Sequence, residues 1–132
     1  MAAWRILFLV LLLLCGNLVF ASKVLQKLSK EKGLLFVHQN ICSLRANFES
    51  LCALVQNSNI DVITLSETHL NKDECRDFYC IDGYNFVSRC RSKGKGGEVC
   101  IYLKDNIQWE RREDLEKENI FLIEFWLHDF LF

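Results

Sequence analysis

Two polar residues end the two most strand-like runs of the chain, and their types suit one kind of chemistry. Asn40 closes the run LLFVHQN, and Glu67 closes DVITLSE. A carboxylate and an amide oxygen are hard ligands of the sort Mg²⁺ accepts. That ion usually takes one or two carboxylates and completes its shell with waters and substrate phosphate oxygens. If the two runs are neighbouring parallel strands, roughly 5 Å apart, both side chains reach the same edge of a sheet. Ligands characteristically bind at that edge in α/β proteins. Spacing alone favours the plainer account, in which both residues simply end strands in solvent.

Other residues carry weaker signals. His38 shares a strand face with Phe36 and Asn40, a setting where histidine is more often packed or hydrogen-bonded than catalytic. Arg89, Arg91, Lys93 and Lys95 crowd one turn and could meet phosphate, although a solvated loop accounts for them better. Tyr84 and Tyr102 are strand aromatics of the kind that fill sheets. His128-Asp129 reads as part of a polar tail over 128–132.

The elements that must position Asn40 and Glu67 follow from periodicity. Leu34–Asn40 is an apolar run of strand length. From Ser43 the period changes: Leu44, Phe48, Leu51 and Val55, with Leu54 beside them, recur on one helical face. Ser43 is suited to cap that helix, its hydroxyl accepting a free backbone N–H of the first turn. Asn57, Ser58 and Asn59 end it. DVITLSE, β-branched and apolar, is a second strand. Strand, helix and strand at this spacing make a βαβ unit, whose strands run parallel with a right-handed crossover. Residues 68–80 read as a loop with a helical turn. Asp82-Gly83 turns into a third strand, YNFVSRC, and the glycine-rich RSKGKGG reverses the chain into VCIYL. Asp105-Asn106 leads to IQWERRE, and the apolar IFLIEFWL comes last.

Composition bounds the answer. A chain of 132 residues has room for one domain. Its 16 basic and 17 acidic residues nearly cancel, so bulk charge gives no sign of a nucleic-acid partner. At 51% hydrophobic, with 10 Phe and 3 Trp, it is too apolar to be disordered. Without proline, its turns rest on Gly, Asn and Asp.

Residues 1–21 stand apart. Arg5 supplies a positive charge, Ile6–Phe20 is almost wholly apolar, and Val19 and Ala21 are small residues ahead of a possible cut before Ser22. That is the layout of a secretory leader, and the apolar run is short for a bilayer span, which needs ~20 residues. The expectation is a secreted chain starting at Ser22. An uncleaved membrane anchor stays open, as does a nuclear or cytoplasmic chain if the leader is an artefact. Residues 22–33 read as a basic linker or frayed helix. Six of the 7 cysteines follow the leader. An even number permits disulfides, in fifteen connectivities, while several of these cysteines sit inside regular elements where they act as small apolar residues. No CxxC spacing points to zinc.

HQNICSL, DVITLSETHL and GYNFVSRCRSKGKGGEVCIYLK come in the order and spacing of non-LTR (LINE-type) retrotransposon endonucleases. The stretch from Leu34 to Trp126 resembles the opening part of such a domain. The family belongs to the endonuclease/exonuclease/phosphatase superfamily, with a fold similar to DNase I. The resemblance implies an α/β fold, a partial DNase I-like two-sheet sandwich over 34–127 with a βαβ start and an antiparallel hairpin. It implies Mg²⁺ as cofactor, DNA as the partner of an intact member, Asn40 beside the metal and scissile phosphate, and Glu67 as the metal-binding glutamate. Cys42 stands where the family commonly has Arg, Cys90 where Asp is frequent, and Glu98 where a third glycine is expected. Glu98 would be strained if that place needs a positive φ. The family's catalytic tyrosine, Asp-x-Asn pair and closing Asp-His pair come from later sequence, so His128-Asp129 is not that pair. The chain reads as a truncated remnant, inactive alone. A small secreted or membrane-anchored binding protein that reuses the fragment is the alternative.

Overall fold

The computed structural model describes residues 6–10, 23, 25–30, 33–71, 76–89, 98–115 and 125–127. They form an α/β structure around a mixed five-stranded sheet. The strands are β1 (Ile6–Val10), β2 (Leu34–Asn40), β3 (Val62–Ser66), β4 (Tyr84–Arg89) and β5 (Val99–Lys104). Their order across the sheet is β1-β2-β3-β5-β4. β1, β2 and β3 run parallel, while β5 lies antiparallel to both β3 and β4. The expected βαβ start and antiparallel hairpin are both present. The segment with the look of a leader supplies the edge strand, Ile6 pairing with Leu34 and Val10 with His38.

The helix α1 (Leu44–Gln56) connects β2 to β3. Ser43 caps it, its Oγ accepting from Ala46 N at 3.3 Å, and Asn57 closes it. The face expected to be apolar is the face that packs: Leu44, Leu51, Leu54 and Val55 are buried, with Phe48 packed beside them. They meet Leu35, Val37, Ile63, Leu65, Cys100 and Tyr102 from one side of the sheet. Burying each such aliphatic side chain contributes about 1.5–3 kcal/mol. A helical turn at 25–28 adds Leu25, fully buried in the same core.

Alternation along the strands sends the other side chains to the opposite face. Val62, Ile101, Leu103 and Ile107 form a second, smaller cluster there, with Leu34, Phe36, Val87 and Trp109 packed against it. Trp109 belongs to β6 (Trp109–Arg111), which pairs antiparallel with β7 (Phe125–Leu127) in a separate two-stranded sheet.

The amino end of the sheet is pinned by Asp61. Its Oδ2 accepts from Leu35 N at 2.8 Å, its Oδ1 lies 3.3 Å from Lys104 Nζ, and its backbone bonds both Leu35 and Lys104. Lys104 also donates to Asn59 Oδ1. Beside them Tyr84 Oη donates to Ile60 O at 2.5 Å. Burial, and then the charge of Asp61, push the Tyr84 phenol up to about 12.

Candidate functional site

Parallel pairing of Asn40 with Ser66 brings Asn40 and Glu67 to the same rim, the one at which β2 and β3 end. Beyond the strands their loops stay zipped together by backbone bonds. Ile41 N donates to Ser66 O (3.1 Å), Ser43 N to Glu67 O (2.9 Å), and Leu44 N to Thr68 O (2.8 Å). From the first turn of α1, Asn47 Nδ2 donates to Ile41 O at 2.9 Å and Ser43 O at 3.2 Å. The helix therefore fixes the loop that feeds it.

The geometry of this rim is unusual in one respect. Among the described residues, four non-glycine residues have positive φ: Cys42 (47°), Ser43 (99°), Glu67 (54°) and His69 (53°). All four lie in these two loops. Such conformations cost about 1–3 kcal/mol each and gather where function demands a shape that the backbone resists. Glu98, expected to suffer strain in a glycine's place, is not one of the four.

Glu67 lies one residue beyond β3 rather than closing it. Leu65 pairs with Cys100, a register that would set Glu67 opposite Glu98. Instead Thr68 N donates to Glu98 O at 3.2 Å. Glu67 is thus the extra residue of a β-bulge, with φ at 54°, and bulges re-aim side chains beside functional sites. Its carboxylate, partly exposed, reaches His69 Nε2 at 3.2 Å.

Asn40 turns inward. Its Oδ1 accepts from both Cys42 N and Cys42 Sγ at 3.2 Å, so the amide oxygen shapes the turn. Cys42 is an exposed free thiol. His38 Nδ1 lies 2.9 Å from Thr64 Oγ1, which donates to Val37 O at 3.4 Å.

Glu67 is a half-exposed carboxylate on a turn fixed by backbone bonds, which suits an ion that keeps most of its waters and shares phosphate oxygens. Thr68 and Glu98, joined by a backbone bond, are buried. Among the described residues no three His, Cys, Asp or Glu side chains are grouped to hold a metal. His69 carries no motif of its own in the sequence, and its two-residue spacing from Glu67 is the signal that could mark it.

Arg91, Lys93, Lys95, Cys75, Cys90 and His128-Asp129 lie outside the described residues. Arg89 ends β4 at the same rim as Val99, its partner at the start of β5. Cys42, Cys52 and Cys80 are free thiols, and Cys100 is wholly buried in the core. Burial, followed by the charge of Glu49, raises the pKa of the Cys52 thiol. Among the described residues no helix is long and apolar enough to cross a membrane. No family model, curated protein or solved structure matches the chain.

Proposed function

We propose that the chain is the opening part of a Mg²⁺-dependent endonuclease domain of the DNase I-like superfamily, and that it does not hydrolyse DNA alone. The observation that carries this reading is the rim. A parallel β2–α1–β3 unit brings Asn40 and Glu67 together on loops zipped by three backbone bonds, with the non-glycine positive φ values of the described residues all found there. The second apolar face of the sheet, with Trp109 of β6 packed on it, is what a partial sandwich requires. Glu67 would hold Mg²⁺ in an intact member, and the ion would stabilise charge at the scissile phosphate. Asn40 shapes the turn beside it.

Phosphodiester hydrolysis also needs a base to take the proton of a positioned water, and further groups to stabilise the phosphate. Lacking one such element typically costs ~10²–10³ in rate or more, and the resemblance places several of them in later sequence. His69 is bound to Glu67 through Nε2 and His38 to Thr64 through Nδ1, whereas the base of an intact member comes, by the resemblance, from later sequence. The purified chain should show no Mg²⁺-dependent nicking of supercoiled plasmid above a Glu67→Ala control. Nicking that needs Mg²⁺ and vanishes in Glu67→Ala would overturn the claim of inactivity.

A further inference from the structure

We propose that Asn40 is an N-glycosylation acceptor, the asparagine of an Asn40-Ile41-Cys42 signal in which a thiol takes the place of the usual hydroxyl. No asparagine of the chain has Ser or Thr two places on, and Asn40 alone has Cys there. In the usual Asn-x-Ser/Thr signal the middle residue is anything but proline, and here it is Ile41. The third residue brings a side-chain group able to hydrogen-bond, which a thiol does as a weaker donor.

The turn at the end of β2 makes the pairing that such a signal needs. Cys42 N and Cys42 Sγ both donate to Asn40 Oδ1 at 3.2 Å. The nitrogen of the same amide, Nδ2, has no hydrogen-bond partner among the described residues. A carboxamide nitrogen is a poor nucleophile, because its lone pair is delocalised into the carbonyl. Loss of a proton from Nδ2 would place negative charge on Oδ1, and two donors already aimed there stabilise that charge. Transfer forms a bond from Nδ2 to the anomeric carbon of a saccharide carried on a polyisoprenyl pyrophosphate. The C–O bond to the pyrophosphate breaks, the pyrophosphate leaves with the electron pair, and the proton passes to a base of the transferring enzyme. Asn40 is partly exposed at the end of β2 and Cys42 is exposed beyond it, so an attached sugar would extend into solvent, as such modifications do.

Entry through the expected leader is the condition. Arg5 precedes the apolar run and holds the amino end on the cytoplasmic side. Asn40 then faces the lumen whether residues 1–21 are removed or stay as an anchor. A glycan there would cover the Asn40–Glu67 rim without deciding whether the bare chain nicks DNA.

The test translates the full chain in the presence of endoplasmic-reticulum vesicles. Gel mobility is compared before and after an amidase that releases N-linked sugar and converts the asparagine that bore it to aspartate, located by mass spectrometry. The expected result is one slower band, removed by the amidase, with the conversion at Asn40. The band should be lost in Asn40→Gln and in Cys42→Ala. Its share should rise severalfold in Cys42→Ser, which supplies the stronger donor. Because the sugar is added to the entering chain, none of these readouts depends on the stability of a variant. A wild-type chain without the slower band would overturn the proposal, whether or not Cys42→Ser carries one. So would a band that survives Asn40→Gln or Cys42→Ala.

Discussion

Replacing Asp61 by alanine should destabilise the fold more than any other single carboxylate substitution among the described residues, although Asp61 is far from the candidate rim. Three strands depend on it. Its carboxylate takes the N–H of Leu35 in β2 and the ammonium of Lys104 in β5, while Asp61 itself leads into β3. Leu35 is 3% exposed, so the orphaned N–H costs about 1–3 kcal/mol. The ion pair, with side chains 16% and 21% exposed, adds about 1 kcal/mol. The sum, about 2–4 kcal/mol, should lower Tm by roughly 6–20 °C in a chain of this size. Asp61→Asn keeps an oxygen for Leu35 and should lose only about 1 kcal/mol. Circular dichroism melts of both variants, beside exposed Asp82→Ala as control, read this directly. A second readout is independent of stability. Asp61 helps raise the Tyr84 phenol, so alkaline titration of Tyr84 should move to lower pH in both variants. A Tm for Asp61→Ala equal to that of the Asp82 control would refute the reasoning.

Two further outcomes are expected. The Tyr84 phenol titrates at about 12 in the fold against about 10 unfolded, so its contribution is complete below pH ~10 and is lost as pH rises through ~12. Tyr84→Phe should flatten that part of an alkaline unfolding curve, and an unchanged slope would assign the loss to other groups. Cleavage after Ala21 would remove β1, so a processed chain should exchange the β2 backbone amides faster than the full chain. Ala21→Arg should block that processing, because the recognition pocket accepts only small side chains; an intact Met1 on soluble wild-type protein expressed in secretory cells would exclude it.

The elements that position the rim were legible where a local rule governed them. The recurrence of Leu44, Leu51 and Val55 marked the buried face of α1, and Ser43 marked its start. Asp82-Gly83 announced the turn before β4, where Gly83 holds φ +83°. Elsewhere the deciding contact lies far along the chain. Ile6–Val10 has no alternation to separate a buried strand from a leader, since continuous apolar runs fit both. Its place beside β2 comes from pairing across 28 residues of separation, Ile6 to Leu34. The insertion of β5 between β3 and β4 is likewise a matter of register that no motif declares.

The rim was legible in residue type but not in shape. Asn40 and Glu67 were marked by where they stand, yet no glycine advertises the left-handed turns at Cys42, Glu67 and His69, because the strain is borne by ordinary residues. That strain must be offset. Two of the bonds that do so start from the first residues of the helix entry, Ser43 N and Leu44 N, and α1 is itself held by its packed apolar face. Stability made by hydrophobic burial in the middle of the sheet, and by Asp61 at one end, thus sustains a resisted backbone at the other.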